Sequence, residues 1–598
     1  MKTFLIESTS FIVSLFSVWL TRKIAYSHNW VAKPRKDRWH KKPVALYGGI
    51  GIFIPFVIFS IAVLARQDND IILKILLPIL TGAVFAFLLG LFDDIKNFKP
   101  ATKLIGQIII ASLPISVGLI LAITPWYLAN VLLTYFWFIG IINAVNMIDN
   151  MDGLSSGVVM ISTLSIIIIL LGFYGIDSNN PSLHLAFVFL CSIAGFWVFN
   201  RYPASIFMGD SGSLFLGYIL ATIAVPSKLN GFLGTPSSML ALLLPVTIIA
   251  IPIFDTTFVT ILRKLNGRPA SLGGKDHSSH RLVGLGFSEK KSVLILYMLG
   301  IAGSSVAVFA IIWPALSIPL IVLYFTLLCM IGIYLGRVKI YSEPVHSHGK
   351  EARWTPLVSQ LFHKRQAGQV ILDIILIAVS YYIAYLLRFE GSLKEQSLNY
   401  TQSLPIIIAS CMISLFIQGI YRGIWRLISI DDIGRYLKGT ILGTGIGILL
   451  IVALYRFGGY SRTVFMIFSV MLFLLLIGSR LFFRLLDNAI NKERSHDNKI
   501  NVLIYGAGQA GKLLFEETIR NPLYKEYKVV GFVDDDSSKH NRLIAGVNIF
   551  KNGLPFACRM RIDELWISSS KIAKDNINTL LSCLGDETKI KSFRLIIE

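Results

Sequence analysis

The feature that most constrains this sequence is a series of apolar runs, each close to the length of a helix that crosses a bilayer. Such a helix needs about 20 consecutive apolar residues, and fifteen runs of this kind recur over roughly the first 485 positions. They lie at about 3–21, 46–65, 72–92, 104–123, 127–145, 157–174, 184–199, 212–226, 239–262, 292–312, 315–336, 369–387, 404–420, 439–455 and 464–483. Because backbone polar groups in lipid must be satisfied within the segment, we expect an all-α polytopic membrane protein with about fifteen transmembrane helices. The first run has only Lys2 before it and no clear cleavage site, so it is expected to stay as a helix.

The composition agrees with a membrane protein and excludes several other classes. Of the 598 residues, 54% are hydrophobic and 15% are charged, whereas soluble domains carry about 25% charged residues. Disorder needs low hydrophobicity, and a nucleic-acid-binding protein would not be this apolar, so no nucleic-acid partner is expected. The five cysteines show no paired spacing. Neither a disulfide framework nor a zinc site is therefore predicted.

The basic residues are distributed unevenly between the loops that alternate along the fifteen runs. The 56 Lys and Arg against 35 Asp and Glu give a net charge of +21. One alternate set of loops holds roughly 29 basic residues and the opposite set roughly 7, which is a strong positive-inside bias. This bias predicts an N-terminus outside, the basic loops in the cytoplasm, and a cytoplasmic segment after about residue 485.

Carboxylates cluster at the predicted cytoplasmic ends of the spans, although such groups are costly near membrane depth and usually functional there. The pair Asp93-Asp94 ends the third run, Asp210 opens the eighth, and Asp255 lies inside the ninth. Two further clusters contain Asn146, Asp149 and Asp152 after the fifth run, and Asp276, His277 and His280 after the ninth. For any single member a solvated loop residue is the alternative, but the outer loops contain few comparable clusters.

The spacing of these residues favours a divalent cation and a phosphorylated substrate. Asn146, Asp149 and Asp152 recur at every third residue, so a helical end would place them on one face. Oxygen ligands in such numbers suit Mg²⁺ or Mn²⁺ rather than zinc. The basic loops would supply cations for phosphate groups, and they contain Lys33, Arg35, Arg38, His40, Arg268 and Arg281. The pattern indicates phosphoryl transfer involving a lipid; the alternative is an ion-coupled transporter, whose acids should lie near the membrane midplane.

Five motifs in a fixed order resemble one family of bacterial membrane enzymes. The first motif contains Lys33-Pro34-Arg35, Arg38-Trp-His40, Pro43 and Gly48-Gly49, and Asp93-Asp94 follows with Pro100, Lys103 and Gln107. With the later acid clusters, residues 1–336 resemble the polyprenyl-phosphate N-acetylhexosamine-1-phosphate transferases, which are relatives of the phospho-MurNAc-pentapeptide transferase. The resemblance implies eleven spans with the N-terminus outside, in a bacterial plasma membrane, and an active site at the cytoplasmic face.

The resemblance also implies a reaction and roles for the site residues. The reaction is Mg²⁺-dependent transfer of a sugar-1-phosphate from a UDP-N-acetylhexosamine to a polyprenyl (undecaprenyl) phosphate, with release of UMP, at the start of lipid-linked glycan synthesis. Asp210 would be the principal Mg²⁺ ligand, with Asp94 as a second ligand, and Asp93 with Asp94 would position or deprotonate the lipid phosphate. The other implied roles are nucleotide or metal contacts for Asn146, Asp149 and Asp152, the uracil pocket for Asn200 and Phe207, and charge stabilisation at the diphosphate for His277 and His280.

Two positions depart from the pattern of that family. The histidine motif is Asp276-His277-Ser-Ser-His280-Arg281 rather than three adjacent histidines, which favours an N-acetylhexosamine donor over the pentapeptide donor. Ala45 stands where many members have a second proline, so the geometry of that loop does not carry over.

The second half of the chain resembles the membrane-bound nucleotide-sugar epimerase/dehydratase proteins of capsule synthesis. The matching stretches run from Asp373 to Gly391, from Tyr421 to Arg426, and from Val502 to Asp536. The resemblance implies a four-helix membrane module at 369–484 and a partial α/β Rossmann-like domain at 500–598, with linkers at 337–368 and 485–499. We expect the catalytic dehydrogenase part to be missing, because no second glycine fingerprint follows.

The C-terminal domain contains a glycine fingerprint between two predicted strands. Gly506, Gly508 and Gly511 follow the first strand, and Asp534 lies 23 residues after Gly511, as in dinucleotide-binding units. Binding of NAD or another nucleotide is one prediction, and a truncated fold that keeps the turn for packing is the other. Three further functions also stay open. They are a nucleotide-sugar sensor, a lipid-linked glycan transporter with such a sensor, and a platform for a homodimer or for downstream glycan-synthesis enzymes.

Overall fold

The apolar runs are helical in the computed structural model, as the need to satisfy backbone groups in lipid requires. The structure describes residues 2–33, 42–65, 70–175, 180–225, 238–265, 268–269, 274, 276–336, 338, 365–389, 396–422, 430–494, 500–520, 524, 527–540, 543–544, 547–551, 562–568 and 588–593. The chain divides into two compact units, Met1–Asp487 and Asn488–Glu598. The division lies inside the segment 485–499 that the sequence predicts as a linker.

Every predicted apolar run coincides with at least one helix of the first unit. The helices in its described part are α1 (Lys2–Ser27), α2 (Gly48–Leu64), α3 (Asp70–Lys96), α4 (Pro100–Ser116), α5 (Tyr127–Ile148), α6 (Leu154–Tyr174), α7 (Pro181–Asn200), α8 (Gly209–Ala224), α9 (Ser238–Ile248), α10 (Ala250–Leu265), α11 (Ser278–Gly284), α12 (Glu289–Ile312), α13 (Ser317–Gly336), α14 (Arg365–Arg388), α15 (Ser397–Ile417), α16 (Ile430–Tyr455) and α17 (Arg462–Arg494). Short 3-10 turns at Pro314–Leu316 and Ile420–Arg422 follow α12 and α15.

Many of these helices are suited to cross a membrane. Within the described ranges, ten are long and apolar enough to do so, and the bent pair α9–α10 raises the number to eleven if it is one span. The apolar helices α2 and α4 are shorter, with 17 residues each. The protein is therefore a mostly helical multi-pass membrane protein, as predicted. The count of fifteen spans and the sidedness of the loops stay predictions.

A bend between α9 and α10 interrupts the single run that the sequence predicts at 239–262. The two helix axes differ by 81°. Pro252 lies in the first turn of α10, and a proline lacks the N–H donor and clashes with the carbonyl four residues earlier. That carbonyl belongs to Ile248, the last residue of α9. The bend matters for the site because α10 carries Asp255 and Arg263, which hold the histidine segment described below.

The centre of the first bundle is α8, whose residues from Ser211 to Ala224 are all buried. It packs against α2, α3 and α5. Two glycines permit this close approach: a Cβ at Gly90 of α3 would collide with the backbone of Asp210, and a Cβ at Gly217 would lie 2.7 Å from the Cα of Ile142. The packing brings the C-terminal ends of α3 and α5 to the N-terminal end of α8.

The helices α14 to α17 form a second bundle that is joined to the first within the same unit. Inside it, the Arg480 guanidinium donates to both oxygens of Asp373 at 2.7 and 2.8 Å and to the Tyr436 hydroxyl at 3.0 Å. These contacts connect α14, α16 and α17 through groups that are almost fully buried. Leu323 and Met330 of α13 pack against the core of this bundle.

Two short strands anchor the segments that precede α2 and α8. The strand β1 (Val31–Ala32) pairs antiparallel with β2 (Val44–Ala45). Ala45 also forms a parallel bridge with Ile206. The residues between the strands, 34–41, include the predicted substrate residue His40 and lie outside the described part of the chain.

The second unit contains a six-stranded sheet with the glycine fingerprint at its centre. Its elements are β3 (Ile500–Tyr505), α18 (Gln509–Arg520), β4 (Tyr527–Asp534), β5 (Leu543–Ile544), β6 (Val547–Lys551), β7 (Glu564–Ile567) and β8 (Lys589–Ser592), with a 3-10 turn at Ser537–Lys539. The strand order is β5-β6-β4-β3-β7-β8, and every pair except β5–β6 is parallel. The chain order reverses between β3 and β7, which is the topological switch point of a doubly wound sheet. The predicted βαβ unit is present.

Candidate active site

The carboxylate of Asp94 joins the end of α3 to the beginning of α8. Its two oxygens accept the backbone N–H groups of Asp210 at 2.8 Å and Ser211 at 3.0 Å. These are donors of the first helical turn that have no partner inside the helix, so an anion is favourable there. Gly209 precedes them with a φ of 75°, and a Cβ at this position would lie 2.7 Å from the Asp94 carboxylate. Only glycine combines this backbone conformation with this close contact.

Lys103 of α4 lies between two of the predicted acids. Its Nζ is 2.6 Å from Asp93 Oδ2 and 2.7 Å from Asp210 Oδ2. The other oxygen of Asp93 accepts the backbone N–H of Phe98 at 2.7 Å. The Asp93 side chain is 7% exposed and that of Asp210 is 33% exposed. Asp210 is therefore the carboxylate of this pair that an incoming ligand can reach.

The end of α5 contributes an amide and a further acid to the same place. Asn146 donates through Nδ2 to Asp210 Oδ1 at 2.7 Å and to Ser213 Oγ at 2.8 Å. Asp149 caps the helix, where burial, followed by the charges of Asp210, Asp94 and Asp152, raises its pKa to about 8. The three neighbouring carboxylates make its surroundings negative, which favours an incoming cation.

The three-residue spacing predicts that Asp152 shares a helical face with Asn146 and Asp149, but the structure does not place it there. The helix α5 ends at Ile148, so the helical period no longer applies at position 152. Its Oδ2 accepts the backbone N–H of Ala204 at 2.8 Å. Asp152 thus holds the 201–206 turn and influences the site through its charge on Asp149.

The histidine motif is held by Asp255, which is fully buried. Asp255 Oδ2 lies 2.7 Å from His277 Nδ1, and its Oδ1 accepts the backbone N–H and the hydroxyl of Ser278 at 2.7 and 2.6 Å. The rings of His277 and His280 are 6.2 Å apart between centroids, at 65° to each other. A carboxylate opposite Nδ1 makes that nitrogen the proton donor and leaves Nε2 of His277 as the atom available to a substrate.

Two further contacts fix this segment against the rest of the first unit. The Ser279 hydroxyl donates to Asn150 Oδ1 at 2.6 Å, which connects the histidine motif to the end of α5. Arg263 binds both oxygens of Asp276 at 2.8 and 2.7 Å. Burial would raise the pKa of Asp276, but the hydrogen bonds and charge of Arg263 outweigh it and hold that pKa below its usual range.

The structure places two predicted substrate residues in supporting positions. Arg281 is buried and donates to the carbonyls of Leu335 at 3.1 Å and Val338 at 2.8 Å, so its charge satisfies carbonyls at the end of α13 and just beyond it. Asn200 is also buried; its Oδ1 accepts from Ser156 Oγ at 2.9 Å and its Nδ2 donates to a backbone carbonyl at 3.0 Å. This geometry favours a structural role for both side chains.

The remaining predicted substrate residues are Phe207 and Arg268. The Phe207 side chain is half-buried, and its backbone pairs with Ala45 at 2.8 Å and with Gly48 at 2.9 Å. The half-buried Arg268 donates its backbone N–H to Arg263 at 2.8 Å and adjoins residues outside the described part. Their contact with a nucleotide stays a prediction.

Sequence reasoning did not assign roles to Lys103 and Asp255. Asp255 stands inside an apolar run and Lys103 directly precedes one, at 104–123; a charged residue in such a place is itself a signal of function. The partner of each is distant in the chain: Asp210 lies 107 residues from Lys103, and His277 lies 22 residues from Asp255. The two charged residues were therefore visible in the sequence, whereas their partners could be identified only from the folded structure.

The donor set fits a Mg²⁺ ion that shares its coordination with a substrate. The described residues contain no group of three or more His, Cys, Asp or Glu side chains that could enclose a metal alone. Mg²⁺ is usually held by only one or two carboxylates, with phosphate oxygens and waters completing its shell. The Lys103 ammonium group is shared by Asp93 and Asp210, and the charges of Asp94 and Asp210 also act on Asp149. This excess of negative charge is suited to a divalent cation.

The glycine turn of the second unit is held by Asp534. Its Oδ2 accepts the backbone N–H of Ala507 at 2.6 Å and its Oδ1 that of Asp536 at 2.9 Å, while Lys539 Nζ lies 3.1 Å from Oδ2. Burial would raise the pKa of Asp534, but these hydrogen bonds and the Lys539 charge keep it below the usual range. Lys539 Nζ also lies 3.3 Å from Oδ1, so four contacts meet the roughly four acceptor positions of the carboxylate. These contacts favour a role of Asp534 in holding the turn, and nucleotide binding by Asp534 stays a prediction.

The three fingerprint glycines lie where the sequence predicts. Gly506 has a φ of 102°, and a Cβ at Gly511 would collide with its carbonyl oxygen, whereas Gly508 has open space around it. A cavity of about 340 Å³ lies beside α18 and reaches Ser568 and Phe593, which directly follow β7 and β8. Glu517 brings a negative charge to its wall, which disfavours a phosphate group at that wall.

Comparison with known proteins agrees with the geometry of the acidic site. The sequence profile of glycosyl transferase family 4 matches residues 76–228. A probable undecaprenyl-phosphate N-acetylglucosaminyl 1-phosphate transferase of Bacillus subtilis is 34% identical over 332 residues, which cover 53% of this chain and 89% of that protein. The chain belongs to the polyprenyl-phosphate N-acetylhexosamine-1-phosphate transferase family. The family predicted from the motifs is thus confirmed, and the protein is an enzyme, a phosphotransferase.

Other relatives of the family are also similar over about half of the chain. A decaprenyl-phosphate N-acetylglucosaminephosphotransferase of Mycobacterium tuberculosis is 29% identical over 323 residues, 49% of this chain and 79% of that protein. A phospho-N-acetylmuramoyl-pentapeptide-transferase of Lactobacillus gasseri is 29% identical over 311 residues, 47% of this chain and 89% of that protein. A CoA-binding domain profile matches residues 417–589. This match is consistent with a fused second domain, and the resemblance to capsule epimerases stays a prediction.

Proposed function

We propose that this transferase moves N-acetylhexosamine-1-phosphate from a UDP-sugar to a polyprenyl phosphate and releases UMP, in a Mg²⁺-dependent reaction that starts lipid-linked glycan synthesis. The observation that carries the proposal is the convergence of Asp93, Lys103, Asn146 and Asp210 at the joined ends of four helices. Acid, cation and amide at a helix end are the groups that phosphoryl transfer requires, because the protein must mainly position the reactants and neutralise charge.

The proposed chemistry is a displacement at phosphorus. An oxygen of the polyprenyl phosphate forms a bond to the β-phosphorus of the donor, while the bond from that phosphorus to the bridging oxygen breaks. UMP leaves with the electron pair of that bond. Bound Mg²⁺, held by Asp210 with Asp94 beside it, would supply positive charge to the diphosphate. Lys103 holds Asp93 and Asp210 in place and adds a positive charge next to the approaching lipid phosphate.

The histidine motif would stabilise charge on the diphosphate from the other side. Asp255 fixes the Nδ1 proton of His277, so Nε2 is the atom that can accept a proton and then donate to a phosphate oxygen. The Ser279–Asn150 hydrogen bond holds this segment next to the end of α5. Asp255 is therefore a positioning residue that acts through His277.

We further propose that the site and the C-terminal domain face the cytoplasm of a bacterium. The support is the loop distribution of basic residues, roughly 29 against 7, together with a helix at each of the fifteen predicted runs. The alternative, a lipid-linked glycan transporter, is disfavoured because its acids should lie near the membrane midplane. Here Asp93, Asp149 and Asp210 lie at helix ends.

The proposal is tested by supplying both substrates to membranes that contain the protein. With radiolabelled UDP-HexNAc, polyprenyl phosphate and Mg²⁺, we expect a labelled lipid and an equal amount of UMP. Asp210→Asn should reduce the rate by at least about 10²-fold, because it removes the accessible carboxylate. The variant should stay folded in detergent, and Asp152→Asn serves as a matched control with a smaller loss. Near-wild-type turnover of Asp210→Asn would overturn the metal assignment, and failure to label lipid with any UDP-HexNAc would overturn the proposed reaction.

A further inference from the structure

A cleft lies between α16 and α17 in the second bundle. The two helices are consecutive and joined by residues 456–461, yet a cavity of about 600 Å³ opens between them. The connecting turn closes one end of the cleft, and the hydrogen bond from Arg480 to Tyr436 joins the helices beyond the other end. The active site described above involves neither helix.

The helices separate because each packs against a different neighbour. On α16, Gly443 and Gly447 approach Cys411 and Ile407 of α15 closely, and the Ser414 hydroxyl of α15 donates to an α16 carbonyl at 2.8 Å. On α17, Phe465 and Phe468 contact the Tyr381 ring of α14, with centroids 6.1 and 5.3 Å apart. Both helices are thus fixed by other contacts, and the space between them remains open.

The walls of the cleft are apolar and leave room for a chain. The main lining residues are Ile441, Gly445, Val452, Phe457, Phe465 and Met466. The hydroxyl of Thr444, which also lines the cleft, already donates to the Thr440 carbonyl at 2.8 Å, so it offers no free donor. A Cβ at Gly445 would meet no atom within 4 Å. A hydrocarbon chain suits such a surface.

A positive charge lies at the end of the cleft next to the connecting turn. Arg462, the first residue of α17, lines the cleft and is exposed, with no described acidic side chain within salt-bridge distance. Arg456 lies in the same turn, and Arg388 donates to Ser461 Oγ at 3.2 Å. By the span order this end belongs to the loops that hold only roughly 7 basic residues in all. Membrane sidedness therefore does not account for this arginine cluster, whereas an anionic partner does.

We propose that the cleft binds an anionic phospholipid, with one acyl chain between α16 and α17 and the phosphodiester at Arg462. The length favours this lipid over a polyprenyl phosphate. From Ile441 to Val452 the α16 wall covers twelve residues, or about 17 Å of helix. This length suits an ordinary acyl chain, but is too short for a long polyprenyl chain. The site lies at the opposite end of the spans from the acidic centre, so it is separate from the lipid substrate.

The test measures lipids retained by the full-length protein. The protein is purified from bacterial membranes in mild detergent, and native mass spectrometry counts bound phosphatidylglycerol per chain. Gly445→Leu should place its side chain in the cleft, since its Cβ meets no atom within 4 Å, and lower this retention by about tenfold, the effect of losing a well-packed chain. Gly478→Leu is the matched control, because its Cβ also meets no atom within 4 Å but it does not line the cleft. It should retain lipid like the wild type.

A second pair of variants tests the headgroup. Arg462→Gln should lower phosphatidylglycerol retention by about tenfold, since a charge-assisted contact is lost, and Arg462→Lys should largely preserve it. Size-exclusion profiles show that each variant is folded. Undiminished retention in both Gly445→Leu and Arg462→Gln overturns the proposal. Equal retention of phosphatidylethanolamine overturns the role of the charge, and a bound polyprenyl phosphate in place of a phospholipid overturns the proposed occupant.

Discussion

At the scale of single residues, the site depends on carboxylates whose partners define what each can do. Asp94 is committed to the backbone of α8, and Asp93 is bound by Lys103 and by the chain. Of these three, Asp210 is the carboxylate that contacts Lys103 and also has an exposed side chain, with an exposed fraction of 33%. The three aspartates are chemically identical but have different roles, because each makes different hydrogen bonds within the protein.

Asp255→Asn should lower kcat by about 10²-fold, the usual contribution of a positioned acid or base. The asparagine amide can donate to His277 Nδ1 and so favours the tautomer with the proton on Nε2, the wrong form for accepting one. The KM for UDP-HexNAc should change little, because Asp255 has no exposed surface. Steady-state kinetics on Asp255→Asn, His277→Gln and the double variant check this. If the two losses multiply in the double variant, the residues do not act as a unit.

The Mg²⁺ requirement should depend on pH through Asp149. Its pKa of about 8 is raised above the ordinary value, so the group is mostly neutral at pH 7 and becomes negative as the pH rises through 8. A negative Asp149 attracts a divalent cation more strongly. The Mg²⁺ concentration for half-maximal rate should therefore fall by about tenfold from pH 7 to a plateau above about pH 9. Asp149→Asn does not titrate and should abolish this dependence; an unchanged profile in that variant contradicts the assignment.

At the scale of elements, helices could be predicted from apolar runs because burial in lipid requires a helix at each run. Their ends could not be predicted as well. The three-residue spacing of Asn146, Asp149 and Asp152 has a helical period, but α5 ends at Ile148, so this period does not extend to Asp152. The bend at Pro252 is visible in the sequence as a proline, whereas its angle of 81° is not.

The second bundle should depend on its buried ion pair. Arg480→Met leaves the Asp373 carboxylate buried without its partner and should destabilise the protein by about 3–5 kcal/mol. The double variant Asp373→Leu, Arg480→Met removes both charges and should recover most of that loss. Thermal unfolding in detergent measures both, with Lys438→Met as a control at an exposed position of α16. Equal destabilisation in the single and double variants would show that the packing, and not the charge pairing, is responsible.

At the scale of the whole molecule, the function of the first unit could be predicted from the sequence in more detail than that of the second. The first unit could be assigned to its family because its motifs are rare combinations of charge and glycine in an apolar chain. The second unit has a common pattern, and the fingerprint alone left two interpretations open. The contacts of Asp534 favour one of them, since its carboxylate is used by Ala507, Asp536 and Lys539. Such a choice requires the positions of side chains that are distant in sequence.

The glycine turn should therefore stabilise the C-terminal domain rather than bind NAD. Asp534→Asn should destabilise that domain by about 1.5–3 kcal/mol, the cost of charge-assisted hydrogen bonds. Because its pKa lies below the ordinary value, this stabilisation is present above about pH 4 and is lost as the pH falls through the folded pKa. Limited proteolysis of the full-length protein measures the stability, and equilibrium dialysis against NAD(H), a UDP-sugar and CoA measures binding. Saturable NAD(H) binding that disappears in Asp534→Asn would show that the carboxylate serves a ligand after all.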